Sequence, residues 1–171
     1  METFEAIHSR RNVREFDTRP ISDADLDRIM DAAWRTPSSR NSQRWEFVVS
    51  TDRSTLQRLS GVWRGAGHVA GAAAAVALVS PLSDDIDERG SIEYDLGQAT
   101  MSVMLAAADL GIATAHASVA DQALARDILG LPGDRRCAWL ISLGYPAGRP
   151  LRPITRPDRR PFEDVVRRER F

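Results

Sequence analysis

The stretch Ile92-Glu93-Tyr94-Asp95-Leu96-Gly97-Gln98-Ala99-Thr100-Met101-Ser102-Val103-Met104-Leu105-Ala106-Ala107-Ala108-Asp109-Leu110-Gly111 decides the architecture. Its apolar residues recur at helical spacing, which makes it the longest helix of the chain. Gly111 follows in the position where a helix ends on a left-handed residue. Gly97, Ala99, Ser102, Ala106, Ala107 and Ala108 are small and permit close helix approach. Such a helix belongs at the centre of a domain or at a dimer interface, and the sequence leaves both open.

Working outward, residues 112–117 read as a short strand and residues 136–143 as a buried one. Between them Asp121 caps a helix that reaches Leu129 and is closed by Gly130 and Pro132. Upstream, a short helix fits residues 4–9. A stronger one follows Ser22, with Asp25 as its capping-box partner and Asp23 at the positive end of the dipole. Leu26, Ile29, Met30, Ala33 and Trp34 make its buried face, and Pro37 ends it. Residues 45–50 and 75–80 read as strands with a short helix at 54–59. The alanines of the second strand leave helix open there. After Gly144-Tyr145-Pro146 the chain carries too many prolines and arginines for a core element and reads as a tail lying on something. The order ααβαβαβαβ plus tail predicts a single domain over 1–171, an α+β or α/β fold with a sheet covered by helices.

Composition narrows the function. Lys+Arg 23 against Asp+Glu 24 gives a net charge of -1, so no general attraction to nucleic acid or anionic lipid is expected. The acidic N-terminus has no apolar segment of the secretory kind, and the longest apolar stretch is far short of the ~20 residues that cross a bilayer. A cytoplasmic protein is the expectation. The single cysteine, Cys137, excludes an internal disulfide and lies in an apolar run, where a small buried hydrophobe is the better reading. There is no P-loop, no His-Glu-x-x-His, no Cys-x-x-Cys and no nucleophile elbow. His8, His68 and His116 are scattered without metal-ligand spacing and read as structural or surface residues. The glycines of residues 65–71 approach a dinucleotide fingerprint but miss its third glycine by one position, and they follow a helix.

Three segments are not explained by folding. Arg10-Arg11-Asn12-Val13-Arg14 can converge on a phosphate, the guanidinium forks matching its oxygens and Asn12 adding a neutral donor. Pro37-Ser38-Ser39-Arg40-Asn41-Ser42-Gln43-Arg44-Trp45 is a polar loop whose Asn41 and Gln43 amides suit a planar ring with alternating donors and acceptors. The tail Arg156-Pro157-Asp158-Arg159-Arg160-Pro161-Phe162-Glu163-Asp164-Val165-Val166 carries a second arginine cluster that could meet the same phosphate. Taken singly, these segments read as a solvated turn, a capping loop and a charged end.

In this order, and with Ala107–Gly111 and Leu143–Pro146 between them, the segments resemble the nitroreductase family of FMN-dependent oxidoreductases. The resemblance implies an α+β fold with a mixed sheet covered by helices, as an intertwined homodimer with FMN at the subunit interface. Arg10, Arg11, Asn12 and Arg14 match the segment contacting the phosphate and ring. Arg159, with Arg160, matches a C-terminal arginine reaching the same phosphate. Pro37, Ser38, Ser39 and Asn41, with Gln43, match a loop usually given by the other subunit. Ala117 and Ser118 fall where backbone groups lie beside the reactive flavin edge. Asn12 replaces the family's usual serine, Arg44 a proline, and His116-Ala117-Ser118 the common Trp-Ile-Gly. The implied activity is ping-pong electron transfer from NAD(P)H to a small oxidised organic acceptor, a nitroaromatic or quinone. No side chain is required as acid or base, and no metal is expected. Flavin-cleaving or dehalogenating relatives, and a flavin-binding protein without turnover, are the alternatives.

Overall fold

Alternating turn signals and apolar runs should set strands between helices, and the computed structural model, which describes residues 2–171, has that order. Helices α1 (Thr3–Ser9) and α2 (Asp23–Trp34) precede β1 (Glu46–Ser50), α3 (Arg53–Leu59) and β2 (Ala74–Pro81). Then come α4 (Ile86–Asp109), β3 (Ala113–Ser118), α5 (Gln122–Leu129), β4 (Arg135–Gly144) and the short α6 (Phe162–Val165). No helix among the described residues is long and apolar enough to cross a membrane.

Local chemistry sets the boundaries. The Ser22 hydroxyl accepts the Asp25 N–H at 3.1 Å and donates to the Asp25 carboxylate at 2.8 Å. Gly111 takes a φ of 72°, the left-handed value that ends α4. That helix starts at Ile86, well before the apolar pattern that predicts it. Asp85 caps it, accepting from the N–H groups of Asp87 and Glu88 at 2.8 and 3.1 Å. The carboxylates of Asp87 and Glu88 lie on the positive end of the dipole, and Gly90 does not break the turn.

The strands pair in the order β1-β2-β4-β3, each neighbour antiparallel. The parallel component of the sheet is a bridge from Asn12 to Thr114 on the outer edge of β3. Strand β2 is buried on both faces, which explains its unbroken apolar run. Val76 and Leu78 meet Leu26, Ile29, Leu96, Val103 and Ile141 under α2 and α4. Ala75, Ala77 and Val79 meet Leu56, Leu59, Val62, Ala125 and Leu140 on the other face. At a bulge in the β2–β4 register the Gln122 amide stands in for a strand, accepting from the Cys137 N–H and donating to its carbonyl. Burial pushes the Cys137 thiol up to about 12, the inert state expected of it.

Two expectations change. Trp34 is 64% exposed, because α2 turns it away from the sheet, and Arg35 lies over its ring. The tail is only half docked. The Ile154 N–H donates to the His8 carbonyl and Arg11 donates to the carbonyls of Arg149 and Pro150. Every residue from Arg152 onward is exposed, including Phe162 at 71%. Such apolar exposure in an ordered helical tip is unusual for a face that meets only water.

Candidate functional site

The N-terminal arginine segment is fixed by the sheet. The Val13 N–H donates to the Thr114 carbonyl at 2.9 Å, and the Asp17 N–H to the Tyr145 carbonyl at 2.8 Å. Phe16 then packs flat on Gly144, where a Cβ would lie 2.7–2.9 Å from its ring and Cβ. Residues 10–16 therefore run as an extra edge along the end of β3, which no local pattern could have indicated.

This placement settles which groups face outward. Thr114 turns its carbonyl toward Val13, so the alternation of an antiparallel strand points the N–H groups of His116 and Ser118 to the same open edge. The N–H of Ala117 points instead toward β4, so of the two residues expected beside a ligand only Ser118 offers its N–H. The exposed His116 ring stands edge-on to Trp139 at 6.0 Å, and the Trp139 indole donates to Glu93 on α4.

Each arginine of the segment has its own surroundings. Arg10 reaches Met104 on α4, its Nη1 3.8 Å from the sulfur. Arg11 holds the tail by the two carbonyls described above, and Arg14 is exposed. Among the described residues no carboxylate pairs with Arg10, Arg11 or Arg14, whereas Arg19, Arg28, Arg35, Arg58, Arg135 and Arg136 all have one. The Asn12 side chain is exposed.

The polar loop is a strained and deliberately held piece of backbone. Arg40, Asn41 and Gln43 take φ values of 55°, 53° and 48°, the left-handed region that non-glycine residues avoid. Two contacts hold it there. The Ser38 hydroxyl accepts the Gln43 N–H at 3.0 Å. Asp95, 2% exposed on α4, accepts the Ser39 N–H on both carboxylate oxygens at 3.1 and 3.0 Å and the Ser39 hydroxyl at 3.3 Å. Pro37 and Asn41 are left exposed at its surface. Arg44 pairs with Glu88 in the first turn of α4, so its charge is neutralised.

Another polar chain lies in the core. Ser142 donates to the Ala115 carbonyl at 3.1 Å, and His68 Nδ1 lies 2.8 Å from the Ser142 oxygen. With that hydroxyl proton committed, Nδ1 must carry the imidazole proton and Nε2 is left as an acceptor. Nε2 is buried without a partner among the described residues. Burial, then the positive charge of Arg14 and the neighbouring His116, push the His68 pKa down.

Within one chain the three sequence segments do not converge. Asp95 and Met104, which mark the loop and the arginine segment on α4, are separated by about 13 Å of helix rise. Among the described residues Arg159 and Arg160 hydrogen-bond within the tail, to the carbonyls of Asp158 and Asp164. Asp95 escaped the sequence reading although it stands among Ile92, Leu96 and Ala99 on the apolar face, where a carboxylate is out of place. Nothing in the local sequence marks His68 or Ser142. No metal-binding group of His, Cys, Asp or Glu occurs among the described residues.

Comparison with known proteins places this geometry. A profile of the Nitroreductase family matches residues 7–90. An Archaeoglobus fulgidus protein with the provisional name NADH dehydrogenase/NAD(P)H nitroreductase is 31% identical over 149 residues, 85% of this chain and 86% of that protein. Among solved structures, an FMN-dependent nitroreductase of Clostridium difficile superposes with a TM-score of 0.85 at 22% identity, covering 98% of this chain and 99% of that one. An NADPH:FMN oxidoreductase of Vibrio harveyi, complexed with NAD+, gives 0.86 at 23% identity, covering 99% and 77%.

Proposed function

This chain belongs to the nitroreductase family, and from that premise we propose that it is an FMN-dependent oxidoreductase working as a homodimer. It takes electrons from NAD(P)H and passes them, by a ping-pong cycle, to a small oxidised organic acceptor such as a nitroaromatic or a quinone. The observation that carries this reading is the run of Arg10, Arg11, Asn12 and Arg14, held to β3 at Thr114 and without a carboxylate partner among the described residues.

The residues fit the cofactor. A phosphate dianion suits Arg10 and Arg14, with Asn12 as a neutral donor. The outward N–H of Ser118 suits an acceptor on a planar ring, and Ala117 keeps that edge in register with β4. Arg11, turned onto the tail carbonyls, acts through the tail, to which Arg159 and Arg160 belong. The family resemblance gives the loop of Pro37, Ser38, Ser39, Asn41 and Gln43 to a second copy, and within one chain its tether at Asp95 is set apart from the Arg10 contact at Met104 on α4. Apolar groups exposed on one chain support that partner: Tyr94 and Met101 on α4, Phe4 and Ile7 on α1, and Phe162 and Val165 on α6. Bound FMN would supply hydride acceptance and electron delivery. The protein's share is to hold phosphate and ring, exclude bulk water and leave one ring face open. Between α3 and α4 the chain is occupied by a three-ten turn and β2, with no separate lid segment.

The test is the visible spectrum of the purified protein, with the released cofactor identified, followed by anaerobic NADH or NADPH. Twin flavin bands from FMN that bleach with either donor support the proposal. Bound FMN that neither donor bleaches would leave a flavin-binding protein without turnover. A colourless protein that takes up no FMN would end the reading.

A further inference from the structure

A basic groove continues from the proposed flavin segment onto the tail, where the flavin reading gives Arg149, Arg152 and Arg156 no role. A cavity of about 570 Å³ is walled by Arg11, Arg149, Arg152, Thr155 and Arg156. A second, of about 300 Å³, shares Arg11 and Arg149 and continues to Asn12 and Arg14, with Glu15 as its one carboxylate. Arg11 forms the ridge between them, tied to the carbonyls of Arg149 and Pro150 at 3.2 and 3.0 Å.

Among the described residues Arg11, Arg149, Arg152 and Arg156 have no ion-pair partner, and no carboxylate lines the larger cavity. All 23 basic side chains of the chain are arginine, the cation whose planar fork matches phosphate oxygens. Pro150, Pro153 and Pro157 stiffen the backbone between these arginines, so less ordering is needed when an anion arrives. A compact cluster of like charge, spaced along a stiff strand and left uncompensated, suits a ligand carrying several phosphates.

We propose that this groove binds the phosphates of the reducing dinucleotide, and that a phosphate on the adenosine 2′-oxygen makes NADPH the preferred donor. The inference rests on the flavin reductase reading above. The groove adjoins the arginine segment through Arg11, so a dinucleotide whose nicotinamide lies over the ring would run its phosphates along it. A 2′-phosphate adds roughly one and a half to two negative charges that NADH lacks, and Arg152 and Arg156 are the cations free to meet them.

The test compares NADPH with NADH as donor to the FMN-loaded protein, in the wild type and in Arg152→Gln/Arg156→Gln. Both positions are exposed and outside the flavin contacts, so folding and FMN affinity should be retained. The wild type is expected to favour NADPH in kcat/KM by about tenfold or more, the worth of one or two charge-assisted hydrogen bonds. The double variant should lose that preference with NADH turnover unchanged, and Arg152→Lys/Arg156→Lys should restore part of it. Equal use of both donors by the wild type would overturn the proposal. So would a double variant that loses FMN affinity instead, since the groove would then hold the flavin phosphate. Calorimetry with adenosine 2′,5′-bisphosphate against ADP reads the groove without turnover. Tighter binding of the bisphosphate supports it and equal binding overturns it, even if the protein takes up no FMN.

Discussion

Replacing Asp95 by alanine removes the acceptor that ties the polar loop to α4. The Ser39 N–H, shared between both carboxylate oxygens at 3.0 and 3.1 Å, and the Ser39 hydroxyl at 3.3 Å lose their partner together. A hydrogen bond to a charged group contributes about 1.5–3 kcal/mol, and the left-handed residues Arg40, Asn41 and Gln43 have every reason to relax once it is gone. The loop must then be ordered again at each FMN binding event, so affinity should fall by roughly tenfold to a hundredfold. Asp95→Asn keeps the shape and one acceptor oxygen, so its loss should be only a few-fold, in line with ~0.5–1.5 kcal/mol for a neutral bond. Global stability should change little, because burying the carboxylate itself carries a desolvation cost that alanine does not. Flavin fluorescence titration gives the affinity, and hydrogen exchange at the Ser39 amide reports the tether directly. If Asp95→Ala binds FMN as tightly as the wild type while the Ser39 amide stays protected, the reasoning is wrong.

Other expectations are simpler. Gly144→Ala forces a methyl group to within 2.7–2.9 Å of Phe16, so overpacking should destabilise the chain by about 1–3 kcal/mol, read as a lowered denaturation midpoint. His68 has a depressed pKa in the fold, so the unfolded state binds the extra proton first. Stability should therefore fall as pH drops below the unfolded value near ~6.5, and His68→Asn should flatten that acid limb in urea titrations at a series of pH values. Cys137, its thiol pushed up to about 12, should resist iodoacetamide at pH ~8 in the native protein and react only on unfolding. Modification of the folded chain would show that the bulge opens more readily than its packing implies.

What could be read in the sequence was mostly local. The Ser22 cap, the left-handed Gly111 and the strands around Val48, Val76 and Ile141 follow from short-range chemistry, and the structure places them as expected. The start of α4 escaped because its first turn is polar and is set by the Asp85 cap rather than by periodicity. Trp34 was misplaced because helical spacing assigns a face but not where that face ends. The site was legible as types of side chain but not as neighbours. Arg10 to Arg14 meet β3 across a hundred residues, and Ser39 meets Asp95 across 56. Those pairings depend on how layers pack, which composition and spacing do not encode.

One feature of α4 constrains how this chain can change over time. Two of its buried side chains, Asp95 near the middle and Met104 nearer the C-terminal end, grip two different loops from one rigid rod. Inserting or deleting a single residue between them would turn one grip by about 100° relative to the other, detaching either Ser39 or Arg10. Loops and tail can lengthen or shorten without that penalty. The spacing from 95 to 104 should therefore remain fixed in functional descendants of this sequence, even where the amino acids between those positions drift.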